Sequence, residues 1–248
     1  MPPQLVTIAF SHYCEKARWG LVRAGVAFDE RPYAPLISSA VAWRHGRSRT
    51  VPQLLVPGGP ALTESTDILR YADAHGTGAP PLFPDGAAGA DVAELVARFD
   101  RKLGPAVRRI AYGALRTHPA LPRLLLAAGP AWQQRLPAAT GKAILAAIVR
   151  GLRITPAGLA RSRTVLDEEL AAVASRLADG RRYLCGETFT AADLTFAALC
   201  APLVMPPAYQ RFTGGLDVTH PSIRGLLDEG RATTAGLFAL SLYDQHRP

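Results

Sequence analysis

Residues 11–18 read Ser-His-Tyr-Cys-Glu-Lys-Ala-Arg and follow directly on the apolar run Leu5-Val6-Thr7-Ile8-Ala9-Phe10. The run predicts a buried strand, Leu5–Phe10, and the residues after it, Tyr13–Ala24, are patterned as a helix closed by Gly25. A strand that turns at once into a helix leaves the first helical N–H groups unpaired at the sheet edge. Those groups, with the positive end of the helix dipole, favour an anion or a thiolate. Ser11 and Cys14 stand at the two ends of a window in which a redox motif carries two cysteines, and the first of them is a serine. Its hydroxyl can donate a hydrogen bond to a thiolate brought by a ligand, but it cannot form a disulfide. The pattern points to chemistry on a borrowed thiol.

Outward from this turn, strand and helix patterns alternate. Val26–Tyr33 reads as a second strand, Ser38–His45 as a short helix, and Gln53–Val56 and Ala61–Thr63 as strands joined through Pro57-Gly58-Gly59-Pro60. Glu64 or Ser65 then starts a helix to about His75. Gly76–Gly89 holds four glycines and three prolines and reads as a linker. Beyond it every pattern is helical, with Asp91–Thr117 and Leu159–Leu177 as long helices. Thr190-Ala191-Ala192-Asp193 has the capping-box form before the apolar Leu194–Leu199, a central buried helix. The expected organisation is an α/β domain over residues 1–77, a linker over 78–90 and an all-α helical domain over 91–248.

Hydrophobic residues make up 48% of the 248-residue chain and charged residues 19%, the composition of an ordinary globular protein. Cys14, Cys185 and Cys200 are too few and too scattered for a disulfide framework. No pair of them has metal-ligand spacing, so no metal is expected and a reducing, cytoplasmic setting is. The N-terminus has no secretory pattern, and no run is long enough to cross a bilayer. The net charge of +8 is concentrated: twelve arginines and lysines lie between Asp100 and Asp167, where there is no acidic residue. The arginines there are spread among alanines and leucines with little aromatic interleaving, which argues against nucleic acid.

Three features of the first domain converge on one ligand site. The first is the Ser11–Cys14 turn. The second is Thr50-Val51-Pro52-Gln53-Leu54, with a proline at a strand entrance; if Pro52 is cis, the backbone of Val51 turns outward and can pair with a ligand as an extra strand. The third is Thr63-Glu64-Ser65-Thr66-Asp67, a helix start suited to a carboxylate. With these motifs, the linker Pro81-Leu82-Phe83-Pro84 and the run Gly186-Glu187 to Phe189-Thr190, Ala192-Asp193, the chain resembles the glutathione transferase superfamily over roughly 1–117 and 160–248. That resemblance implies a thioredoxin-like first domain, glutathione as co-substrate and a homodimer. It implies that Ser11 holds the glutathione thiolate, that Val51 pairs with the cysteinyl backbone beside Pro52, and that Glu64 and Ser65 bind the γ-glutamyl end. The family's lysine before the Val-Pro pair is Thr50 here, with Arg49 the substitute for the glycyl carboxylate. His12 stands where the family commonly has proline. Residues 118–158 form a basic insert where the family joins its fourth and fifth helices more directly.

Several residues keep two readings. Ser11 is either the catalytic hydroxyl or a plain helix cap, and Glu64 with Ser65 either a binding site or a plain helix start. Tyr13 either supplies an auxiliary hydroxyl or packs on the core. Cys14 is either an inert buried thiol or an exposed one able to form a mixed disulfide and act as a thiol reductase. The basic segment is a solvated surface, a wall of the substrate pocket, or an amphipathic helix at an anionic membrane surface, with Ile144, Leu145, Ile148, Leu152 and Ile154 beside Lys142, Arg150 and Arg153. The leading expectation is a serine-type glutathione transferase acting on a hydrophobic electrophile. The alternative is a non-catalytic scaffold of the same fold that binds a hydrophobic ligand or a partner.

Overall fold

The computed structural model describes residues 1–77 and 79–248; Gly78, in the expected linker, lies outside the described residues. The opening run forms β1 (Gln4–Thr7), followed by α1 (His12–Arg23). β1 stops short of the expected Phe10. Its parallel partner β2 (Asp29–Pro32) ends in register with Thr7 at Pro32, and the Tyr33 N–H makes the last bond to β1, at the Thr7 carbonyl, 2.8 Å. The next residues leave the sheet: the Ser11 N–H closes a turn on the Ile8 carbonyl at 2.9 Å, and the Arg18 guanidinium donates to the Ala9 carbonyl.

After α2 (Ile37–Gly46), β3 (Gln53–Leu55) pairs antiparallel with β1, and β4 (Ala61–Leu62) with β3, giving the strand order β2-β1-β3-β4. α3 (Ser65–His75) completes a thioredoxin-like βαβαββα domain. Its core is Leu5, Ala17, Leu21, Leu54, Ile68 and Ala72, contributed by β1, α1, β3 and α3. Each buried leucine or isoleucine there is worth about 1.5–3 kcal/mol of transfer free energy.

The second domain is all helical. α4 (Gly86–Arg98) begins inside the glycine-rich stretch, ahead of Asp91. It runs through a π-helical turn, Phe99–Leu103, into α5 (Gly104–Leu115). The sequence pattern predicts one unbroken helix here, and Pro105 explains the difference. Lacking an N–H, it cannot supply a helical hydrogen bond, and the Gly104 N–H bonds the Phe99 carbonyl instead. The Asp100 carbonyl accepts from the Tyr13 hydroxyl of α1 at 2.8 Å.

Residues 118–158 hold α6 (Leu121–Ala127), α7 (Ala131–Gln134) and α8 (Ala138–Gly151). They bury a small core of their own, Leu121, Leu125, Leu126 and Ile144, against Ala34 of the first domain. Leu145 and Ile148 pack on it too, so the face of α8 that suits a membrane surface is directed inward. Gln133 clamps this unit in place: its buried Oε1 accepts from the Ala34 N–H at 2.8 Å.

α9 (Pro156–Leu177), α10 (Ala191–Val204), α11 (Pro207–Gln210), α12 (Pro221–Ala232) and α13 (Thr234–His246) follow. Every residue of α10 is buried, as a helix apolar on all sides requires. Its N-terminus is held as the sequence predicts. The Asp193 carboxylate accepts from the Thr190 N–H at 2.9 Å and also from the Leu184 N–H at 2.8 Å. α1 packs across α10, and the Trp19 indole donates to the His246 carbonyl at 3.0 Å, so the chain's C-terminal end is bonded to its first helix.

Candidate functional site

A cavity of about 250 Å³ opens between the two domains at the N-terminus of α1. The first domain contributes Ser11, His12 and Tyr13, then Ser38 from α2, and the rim Arg49-Thr50-Val51. The helical domain contributes Arg108, Tyr112 and Leu115 from α5, Leu121 and Leu124 from α6, and Met205 and Ile223. The polar side chains thus come mainly from the thioredoxin-like domain and the apolar ones from the helical domain.

Ser11 is the N-cap of α1. Its Oγ accepts from the Cys14 N–H at 3.4 Å, a long bond, and among the described residues its own proton has no acceptor. The hydroxyl is therefore available to a ligand. Cys14 lies out of the cavity wall. It is fully buried, and burial pushes its thiol up to about 11 despite the Ile8 N–H that donates to the sulfur at 3.4 Å. Tyr13 presents its ring to the cavity, but its hydroxyl is committed to the Asp100 carbonyl, and burial raises the phenol further.

His12 lies beside them at 4% exposure. Burial first, then the positive charge of Arg108, lowers its imidazole to about 3, so the ring is neutral at physiological pH. Its Nε2 has no hydrogen-bond partner. Tyr112 is deeply enclosed, and burial raises its phenol above the usual range.

At the rim, Gln53 braces the loop that carries Arg49 and Val51. Its buried Nε2 donates to the carbonyls of Ser48 and Thr50, each at 3.3 Å. The Val51–Pro52 peptide is cis, and Pro52 is buried beneath the rim. Arg49 is exposed, its guanidinium 5.5 Å from the centre of the Trp43 ring, and no carboxylate among the described residues pairs with it.

Of the residues singled out in the sequence, Ser11, Tyr13, Arg49 and Val51 meet in the cavity wall. Cys14 and Pro52 lie behind it. Glu64 and Ser65 stand at the start of α3, outside the wall, Glu64 exposed and Ser65 buried. Partial burial and the neighbouring Asp67 and Asp100 raise the Glu64 carboxyl. Sequence reasoning missed Ser38, Arg108 and Tyr112. The α5 residues do carry a signal, since Arg108, Ala111, Tyr112 and Leu115 recur at the spacing of one helical face. Nothing local distinguishes Ser38.

The fold and the cleft define a two-domain protein in which a thioredoxin-like unit opens onto a helical one. Residues 5–80 match the glutathione S-transferase N-terminal domain, and residues 156–229 match the glutathione S-transferase C-terminal domain. Together these matches span more than half of the chain, which belongs to the glutathione S-transferase superfamily. Solved structures agree in fold. The chain is similar to a glutathione S-transferase from Xanthobacter autotrophicus Py2 at 20% identity, 94% coverage of both chains and a TM-score of 0.58. It is similar to a glutathione S-transferase from Methylobacillus flagellatus KT with glutathione bound at 18% identity, covering 96% of this chain and 98% of that one, with a TM-score of 0.55. Poplar glutathione transferase F1 aligns at 15% identity over 98% of this chain and 99% of its own, with a TM-score of 0.58. No curated protein sequence matches the chain.

Proposed function

We propose that this protein is a cytoplasmic, homodimeric, serine-type glutathione transferase that joins the glutathione thiolate to a hydrophobic electrophile. The observation that carries this reading is the Ser11 hydroxyl, at the N-cap of α1 and in the cavity wall, with no acceptor for its proton among the described residues. A thiolate placed there gains that hydrogen bond and the positive end of the helix, so the thiol ionises near neutral pH. Val51 beside Pro52 pairs with the cysteinyl backbone, Arg49 takes the glycyl carboxylate, and Glu64 with Ser65 takes the γ-glutamyl end. Residues 118–158 act as an insert relative to the family, and through Leu121 and Leu124 they supply part of the acceptor's apolar wall. Positioning the acceptor against the thiolate is the remaining catalytic task.

Calorimetric titration of the purified protein with reduced glutathione tests this reading. Saturable binding that weakens in Ser65→Ala and Arg49→Ala is the expected result, and no binding at several millimolar refutes it. Thr50 in place of the family's lysine favours the second reading, a binding scaffold without catalysis. Its signature is a hydrophobic dye bound without glutathione and released on deletion of residues 118–158.

A further inference from the structure

We propose that the acceptor taken by this site carries a carboxylate or similar oxyanion on an apolar body, and that Arg108 pairs with that anion. The proposal rests on the transferase reading above and names its second substrate.

Arg108 lies on α5 in the cavity wall, on the helical side. Its Nε is buried without a hydrogen-bond partner, and among the described residues no carboxylate lies within ion-pair distance of its guanidinium. The other cations near the α1 turn are already matched. Lys16 pairs with Asp100 at 2.7 Å, and Arg18 pairs with Glu15 and Glu30 at 2.6 Å each. The groups near Arg108 include the Tyr13 ring, 6.0 Å from the guanidinium to its centre, with Tyr112 and the neutral His12. A partly buried cation with an orphaned donor and no counter-ion is costly to hold, and a ligand anion relieves that cost. A guanidinium is also the side chain whose planar fork matches a carboxylate.

A second observation is independent of Arg108. His12 Nε2 and Ser38 Oγ belong to wall residues only 4% and 1% exposed, and neither atom has a partner. Among the described residues eight buried side-chain polar atoms lack a partner, and three of them, these two and Arg108 Nε, belong to residues of this one cavity wall. They mark the space as built for a ligand with polar groups as well as an apolar body. Leu115, Leu121, Leu124, Met205 and Ile223 form the apolar wall that receives the rest. Arg49 does not compete for this role, because it sits on the rim of the other domain, beside Val51, where the glycyl end of glutathione is assigned. Two cations on opposite sides of one cavity thus serve two carboxylates on two substrates.

For a halogenated acceptor the step balances simply. The thiol proton passes to solvent, the thiolate sulfur forms a bond to the carbon bearing the halogen, and the halide leaves with its bonding pair.

The test uses a chlorodinitrobenzoate and its methyl ester, the same ring with and without the charge. In the full-length protein, Arg108→Gln lowers kcat/KM for the benzoate at least about tenfold more than for the ester, chiefly through KM. Arg108→Lys, which keeps the charge, recovers most of the difference. An equal loss on both substrates overturns the proposal and assigns Arg108 to the thiolate or to the fold, and a benzoate rate that Arg108→Gln leaves untouched overturns it as well. Glutathione calorimetry on the unaltered protein separates the two levels of inference. Absent binding overturns the transferase reading together with this one, whereas intact binding without charge discrimination overturns this one alone.

Discussion

The Lys16 ammonium of α1 lies 2.7 Å from the Asp100 carboxylate in the π-helical turn, joining the first helix of one domain to the long helix of the other. Thr66 at the start of α3 completes the group, its hydroxyl 2.8 Å from the ammonium and 2.7 Å from the carboxylate. The pair is asymmetric, since the Lys16 side chain is fully buried and that of Asp100 is 24% exposed. Removing the carboxylate strands a buried cation, whereas removing the cation leaves an anion that water can reach. Asp100→Ala therefore costs about 3 kcal/mol and Lys16→Met distinctly less. Urea unfolding of the two variants measures the difference, and equal losses would contradict the asymmetry.

Ser11→Ala removes the hydroxyl proposed to hold the thiolate without touching the residues proposed for the rest of glutathione. Turnover falls about a hundredfold, while glutathione affinity falls by less than about threefold. Steady-state rates and calorimetry on the same preparation separate the two quantities. Full turnover in the variant would leave Ser11 as a helix cap only.

His12 confers a pH dependence whose sign follows from its burial. Its imidazole is lowered from 6.5 in the unfolded chain to about 3 in the folded protein. Above pH 6.5 both states are neutral there and the contribution is complete. As pH falls from 6.5 towards 3, the unfolded chain takes up the proton first and stability is lost, by at most about 1.4 kcal/mol per pH unit. In His12→Phe that component is absent, so the difference in unfolding free energy between the two proteins changes across this window and is flat above it. Denaturant melts at a series of pH values read this directly.

Gly104 is a glycine because Tyr13 lies against it. A Cβ there would collide with the Tyr13 hydroxyl, the group that bonds the Asp100 carbonyl. Gly104→Ala forces Tyr13 off that carbonyl and costs about 1–3 kcal/mol, whereas Tyr13→Phe, which loses the bond without the collision, costs about 1 kcal/mol. Thermal melts of both variants rank them, and the opposite order would mean that the hydrogen bond outweighs the packing.

Cys14 is enclosed and burial raises its thiol, so a native protein that leaves it unreacted is the expected outcome. Iodoacetamide at pH 8 leaves Cys14 unmodified in the native protein, and Cys14→Ser shows no loss of any disulfide-reducing activity. Peptide mass mapping of the labelled protein checks the first point. A labelled Cys14 would restore the thiol-reductase reading.

The parts of this site legible in the chain are those built by neighbours in sequence. Ser11 caps α1 through a contact three residues away, and Thr190 with Asp193 closes the start of α10 through the same short span. Thr50-Val51-Pro52 marks the rim because proline restricts its own φ and the residue before it. The break in the long helix was also written locally, in Gly104-Pro105, but the periodicity of Asp91–Thr117 outweighed it. The basic unit at 118–158 and the apolar face of its last helix were legible, but its docking was not, because its helices bury their apolar faces on Ala34, a residue distant in the chain.

The amino-acid sequence by itself determined an α/β first domain followed by a helical one, the polar turn at Ser11 and the proline-marked rim at Val51, since hydrogen bonding and side-chain periodicity act over a few residues. Only the tertiary structure decided that Cys14 is buried, that the Tyr13 hydroxyl bonds the Asp100 carbonyl, and that Arg108 in the cavity wall has no carboxylate partner among the described residues. Burial and charge pairing depend on what the other domain brings within a few ångströms, and no pattern along one segment records that.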